Sequence, residues 1–222
     1  MSIEKINPTI DEDEKELTDE ELNRVNGGAI IYAKPGEKTY GTDGDDIIYG
    51  TDGADWIDGG GGNDRIYAGG GDDTIYGGGG DDRIEGGDGN DAIEAGEGSN
   101  IIDGGEGNDN IGAGSGDDRI YGAGGADIIR GGNGNDNIAG GDGNDWIDGG
   151  DGDDRIVGDN GNDTIIGGRG SDDIFGGYGN DNMYAGTGHD GFWDVLLEGH
   201  DKIYGGEGED TSHEENVIIR VS

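Results

Sequence analysis

Residues 131–157 read GGNGNDNIA, GGDGNDWID and GGDGDDRIV, three nonapeptides of the form Gly-Gly-x-Gly-x-Asp-x-Ile-x laid end to end. Outward from them the same nine-residue clock runs without a gap from Gly41 to Trp193, seventeen repeats in 153 residues. The fourth position is Gly in all seventeen, from Gly44 to Gly188. The sixth is Asp in sixteen, with Asn100 the exception, and the eighth is Ile from Ile48 to Ile174, then Met183 and Phe192. A fixed period of this kind marks a repeat architecture, in which each unit buries its apolar face only against its neighbours.

Glycine-rich segments supply positive-φ turns, whereas x-Ile-x alternates with period two, so each nonapeptide reads as a six-residue turn and a three-residue strand. So short a strand can bury its Ile only against other strands. Successive repeats then lie on opposite walls, two repeats make a coil of about 18 residues, and coils stack at roughly 4.8 Å. The expected fold class is all-β, a parallel β-roll (a right-handed β-solenoid), with a short N-terminal helix.

One buried Ile for every nine ordered residues does not offset the conformational entropy of ordering them. Stacking adds a repulsion, because the sixth-position carboxylates of repeats n and n+2 lie one coil apart. A cation between them turns that repulsion into an attraction. Carboxylates and turn carbonyls are hard oxygen ligands and Cys is absent, so the expected ion is calcium.

The nonapeptide resembles the RTX (repeat-in-toxin, hemolysin-type) calcium-binding repeat GGxGxDxUx, in which U is a large apolar residue. The resemblance implies that the metal ligands are Asp46, Asp55, Asp64, Asp73, Asp82, Asp91, Asp109, Asp118, Asp127, Asp136, Asp145, Asp154, Asp163, Asp172, Asp181 and Asp190, assisted by turn carbonyls. Pairing each repeat with the one two further on implies up to about fifteen calcium ions. Asn100 lacks the charge, so the sites it shares with Asp82 and Asp118 are expected to be weaker.

With 56 Gly, 28% hydrophobic residues and a net charge of -40, the ion-free chain falls among disordered compositions. The acidity argues against nucleic acid and anionic membranes as partners. No apolar run reaches the roughly 20 residues of a transmembrane helix, and the acidic start lacks the regions of a secretory signal peptide. Extracellular calcium modules bind at about 10⁻⁴ to 10⁻³ M, concentrations that cytosol does not offer. The chain is therefore expected to be unfolded inside the cell, secreted, and folded outside.

Residues 1–28 differ in composition, with nine acidic and three basic residues. Thr18-Asp19-Glu20-Glu21 reads as a capping box with Leu17 and Leu22 as its staple and Gly27 as the stop, which predicts a helix of about two turns. The same residues resemble the double-glycine leader peptides of bacteriocins and related exported peptides, with Gly27 and Gly28 at the cleavage site and Leu17, Glu21, Leu22 and Val25 in the recognition positions. The resemblance implies an ABC exporter whose cysteine-peptidase domain cuts after Gly28.

Residues 29–40 read as a lead-in cap, with Ile30, Ile31 and Tyr32 as a strand and Pro35-Gly36 as a turn. Beyond the array, residues 194–222 begin with a two-residue slip at Asp194 and Val195. Degenerate repeats follow with Asp201 and Asp210, and an alternating end at 216–222 is expected to cap the last coil. That end also resembles C-terminal signals of type I secreted RTX proteins.

The chain is expected not to be an enzyme. Only about forty residues precede the array and none forms a catalytic constellation. His189, His200 and His213 lie near the C-terminus and read as turn variants. On the odd-repeat wall the outward ninth position ends apolar at Val157, Phe175 and Trp193, and the chain's own tail is expected to cover it. The reading is a secreted, non-enzymatic calcium-binding β-roll with a structural, cell-surface or matrix partner. The alternative, suggested by the leader, is a bacteriocin-like or toxin-related effector.

Overall fold

The computed structural model describes residues 27–193, 201–206, 208 and 211–212. The expected N-terminal helix, with Leu17, Glu21, Leu22 and Val25, and the expected C-terminal strand lie outside these residues. What is described is a solenoid. Strands β1 (Ile30–Tyr32), β2 (Lys38–Tyr40), β3 (Ile47–Thr51) and β4 (Trp56–Gly61) are followed by six-residue strands from Arg65–Gly70 to Asn182–Thr187, then by Gly191–Trp193, Lys202–Tyr204 and Thr211–Ser212. Alternate strands go to alternate walls, giving one parallel sheet of eleven strands and one of ten.

The coil is eighteen residues long throughout the array: Ile48 pairs with Ile66, Ile57 with Ile75 and Ile138 with Ile156. Because every coil presents the same backbone, each eighth-position Ile stacks on its equivalent, and the column from Ile48 to Phe192 is fully buried. First-position residues also point inward, where Ala68, Ala95, Ala113 and Ala185 are buried beside the isoleucines. The sixth position completes the interior, so each wall contributes an acid, an isoleucine and a small residue in turn.

The division of the nonapeptide differs from expectation. Strands cover six residues, x-Ile-x and the next Gly-Gly-x, and only Gly-x-Asp is left as the turn. The glycines join the ladder because they too recur every eighteen residues, Gly60 opposite Gly78 and Gly61 opposite Gly79. Each strand nonetheless bends at its glycine pair. Gly132, in the second position, has φ +114°, and a Cβ there would lie 2.1 Å from the carbonyl oxygen of Gly114 in the coil below. Ala123 and Asp159 occupy the same position with φ 76° and 71°, a conformation that is strained for a residue with a side chain.

The lead-in residues form a coil of their own. β1 pairs with β3, Ile31 opposite Ile48, and β2 with β4, Thr39 opposite Ile57. Between them the Lys34 carbonyl accepts from the Glu37 N–H at 3.0 Å across Pro35-Gly36, with Gly36 at φ 77°, as the turn residues predict. The register places Gly27-Gly28-Ala29-Ile30-Ile31-Tyr32 over Gly44 to Tyr49. Gly27 and Gly28 are thus turn residues of a degenerate repeat in which Ala29 stands where Asp is the rule. Both are exposed.

At the other end the two-residue slip is present, Met183 pairing with Ile203 and Phe192 with Ser212, twenty residues on in each case. The outer faces carry short aromatic ladders, with Tyr32, Tyr49 and Tyr67 stacked at 5.3 and 5.4 Å and Tyr184 on Tyr204 at 4.6 Å. Val157 and Phe175 are neighbours, half-buried, and the Arg155 guanidinium lies 4.7 Å from the Phe175 ring. The tail expected over them lies outside the described residues.

These contacts separate two glycine substitutions. Gly132→Ala places a methyl group against the Gly114 carbonyl at a positive φ, and is expected to cost about 1–3 kcal/mol, a fall of several degrees in the thermal unfolding midpoint of the ion-loaded protein. Gly79→Ala meets nothing within 4 Å and should leave the midpoint unchanged or slightly raised. Equal effects from the two would contradict the close stacking of coils at the second position.

Candidate metal centre

Each sixth-position residue ends a three-residue turn and begins a strand, which aims its side chain into the solenoid at the edge of the isoleucine column. The period then builds two columns, one along each edge. Asp46, Asp64, Asp82, Asn100, Asp118, Asp136, Asp154, Asp172 and Asp190 form the first, and Asp55, Asp73, Asp91, Asp109, Asp127, Asp145, Asp163 and Asp181 the second. All are buried, none more than 5% exposed.

Within a column the contacts repeat. The backbone N–H of each residue donates to Oδ1 of the carboxylate one coil further on: Asp46 to Asp64 at 2.7 Å, Asp127 to Asp145 at 2.8 Å, Asp154 to Asp172 at 2.9 Å. That satisfies one oxygen. From Asp64 to Asp172 the second oxygen, Oδ2, of each sixth-position aspartate is buried without a hydrogen-bond partner. A buried carboxylate oxygen left in this way is costly.

Asn100 shows what that oxygen lacks. Its Oδ1 accepts from the Asp82 N–H at 2.9 Å like its neighbours, but its Nδ2 donates to the Gly98 carbonyl at 3.2 Å. Where Asn100 carries a donor that the Gly98 carbonyl satisfies, the aspartates from Asp64 to Asp172 carry an acceptor that no donor meets. Oxygen facing oxygen in a dry interior fits an intervening cation, and an all-oxygen donor set fits calcium. Among the described residues no three His, Asp or Glu side chains converge on one point. Along each column the carboxylates stand one coil apart, so any further donors to an ion between two of them would be backbone carbonyls.

Three features could not be read from the period. Asp46 is set apart: its Oδ1 takes the Ala29 N–H, and Thr42 supplies Oδ2 with its N–H and its hydroxyl, the latter at 3.0 Å. Thr51 likewise donates to Oδ2 of Asp55, leaving that residue's Oδ1 as the buried oxygen without a partner. Asp201, which the sequence places in a degenerate repeat after the slip, extends the second column, its Oδ1 accepting from the Asp181 N–H at 2.7 Å. Beside the buried columns run exposed fifth-position ladders of opposite sense, in which the N–H of one coil donates back to the coil before, as from Asn108 to Asn90 Oδ1 at 2.9 Å. Exposed His189 stands in this fifth position.

Burial pushes the carboxyl groups of Asp64, Asp73, Asp109, Asp136, Asp163 and Asp172 up to about 7, and those of Asp82, Asp118, Asp127 and Asp154 up to about 6. The N–H from the neighbouring coil pulls the other way. Repulsion from carboxylates above and below, such as Asp82 and Asp46 on Asp64, adds to the rise. The ion-free solenoid therefore holds protons more tightly than the unfolded chain, whose aspartates titrate near 4. Its stability is fully present below about pH 4 and is lost as pH rises through 6 to 7. In chelator, circular dichroism should show coil at pH 7.5 and a gain of β-structure on acidification to pH 5. No gain would mean that charge in the columns is not what keeps the ion-free chain open.

A family model for the RTX calcium-binding nonapeptide repeat (4 copies) matches residues 40–75, 76–111, 103–138, 130–165, 157–192 and 197–213. No curated protein matches the chain. The matched residues cover most of the chain in the register of the two acidic columns, and the chain belongs to the RTX calcium-binding nonapeptide repeat family, whose repeats bind Ca2+.

Proposed function

We propose that this chain is a secreted, non-enzymatic calcium-responsive β-roll, exported unfolded and folded by calcium outside the cell, where it serves a structural, surface or matrix role. The observation that carries the reading is the buried Oδ2 left without a partner, coil after coil, from Asp64 to Asp172. Calcium ions would be held by carboxylates eighteen residues apart in each column together with turn carbonyls, from Asp55 and Asp64 through Asp73, Asp82, Asp91, Asp109, Asp118, Asp127, Asp136, Asp145, Asp154, Asp163 and Asp172 to Asp181 and Asp190. Their chemistry there is neutralisation of like charge. Asp46, already supplied with protein donors, stands outside this set.

Dependence on calcium gives export its logic. At net charge -40 the chain repels itself where calcium is scarce, and an unfolded chain is what a narrow transporter requires. Where calcium is at millimolar levels the columns fill and the coils close. Proteins built on these repeats are typically secreted. Residues 1–28 act in this scheme as a double-glycine leader, read by the peptidase domain of an ABC exporter and removed after Gly28. No helix among the described residues is long and apolar enough to cross a membrane. The second reading, a bacteriocin-like effector, draws on the same leader, and purified protein that inhibits neighbouring bacteria would favour it.

Three measurements test the proposal. Calcium titration followed by circular dichroism should give a cooperative coil-to-β transition in the sub-millimolar to millimolar range, and a chain still coiled at several millimolar calcium would end the reading. Asn100→Asp, which completes the first column, should raise the calcium bound per chain and lower the midpoint of the transition. The intact mass of protein from the medium of the native host should correspond to Ala29–Ser222. A full-length secreted species would instead leave residues 1–28 as part of the mature protein and shift export to the C-terminal signal.

A further inference from the structure

The acidic column on one edge begins abruptly. Ala29 stands one coil before Asp46, in the position that Asp46 itself occupies relative to Asp64. Asp46 therefore has a carboxylate after it, Asp64, but none before it. Its nearest partner on that side is the nitrogen of Ala29, which donates to Oδ1 at 2.5 Å. In the full chain that nitrogen is an uncharged amide, because Gly28 precedes it.

We infer that cleavage after Gly28 makes the Ala29 nitrogen the cation of the first coil, an α-ammonium group paired with Asp46 where later coils use a metal ion. The inference rests on the leader reading above. Hydrolysis breaks the Gly28–Ala29 C–N bond. Water's hydroxyl goes to the Gly28 carbonyl carbon, the amine of Ala29 takes the remaining proton, and near neutral pH it binds one more. The neutral hydrogen bond to a carboxylate becomes an ion pair with the same two atoms, in a place where Asp46 is fully buried.

The geometry also orders the two events. A Cβ on Gly28 would lie 1.7 Å from the carbonyl oxygen of Asp45, so in the folded solenoid Gly28 sits directly on the turn of the first repeat. A peptidase that draws an extended Gly-Gly segment into its cleft must act before that contact forms. Cutting precedes calcium, and the new N-terminus then steadies the coil on which the array begins.

The test is a comparison of four samples. Chains with Asp46 or Asp46→Asn are either left intact or cut after Gly28 in calcium-free buffer, and all are then given calcium. Hydrogen exchange is read at the Ile47 N–H, bonded to the Ala29 carbonyl, and at the Ala33 N–H, bonded to the Tyr49 carbonyl, the bonds that hold the first coil on the second. With Asp46 present, cutting should slow exchange at these amides by about tenfold. With Asn at 46 it should not.

Carbamylating the new α-amine at neutral pH, before calcium is added, removes the charge without touching Asp46 and should abolish the slowing. Equal exchange in the cut and intact Asp46 chains, or slowing that survives carbamylation, overturns the inference. So does a cut chain that no longer orders its first coil. Because cleavage here is done in vitro, the result stands apart from the native-host mass: full-length secreted protein would sink the leader reading even if the pair forms, and an absent pair would leave that reading intact.

Discussion

Two carboxylates stacked one coil apart, each with an oxygen turned into a dry interior, are the constraint to which the rest of this molecule answers. The isoleucine columns supply a core, but a thin one, with a single large apolar side chain for every nine residues. The ladders between coils supply hydrogen bonds whose net worth is small against the entropy of ordering so much glycine. A cation between the carboxylates changes the sign of the dominant electrostatic term. On the proposed function, closure of the solenoid is tied to the ionic composition of its surroundings more than to its hydrophobic content.

The architecture was legible because the columns are written directly into the period. Ile at every eighth position and Asp at every sixth fix which side chains face inward, and nine residues per wall fix which repeats stack. The two-residue slip before Asp201 could be read for the same reason, since Ile203 had to find the column of Met183. The six-residue length of the strands was not legible. Gly-Gly-x carries no apolar alternation, so its place in the ladder is decided only by the identical backbone above and below it.

The special character of the first turns was hidden too. Thr42 and Thr51 look like tolerated replacements for glycine, yet their hydroxyl and amide groups are spent on Asp46 and Asp55. The fifth-position ladders are not legible in the sequence because the preference for Asn and Asp there is shared with ordinary turns. Only the coil-to-coil contact shows that the side chain serves the N–H of a residue eighteen positions away. For the ladders the missing information was a contact between coils, which nine-residue statistics do not contain, whereas Thr42 and Thr51 act within their own turns, four residues ahead, at a position where glycine is the rule.

The alternation of strands between two walls makes the nonapeptide half of a unit. Gaining or losing two repeats lengthens or shortens the rod and leaves every remaining residue on its own side. Gaining or losing one transposes all that follows: the face that carries Val157 and Phe175 would exchange with the face that carries Ile166 and Tyr184, while the interior, identical on both sides, would hardly register the change. Parity of repeat number is thus invisible to the core and decisive for the surface, so any partner that reads one wall of this rod also counts its coils.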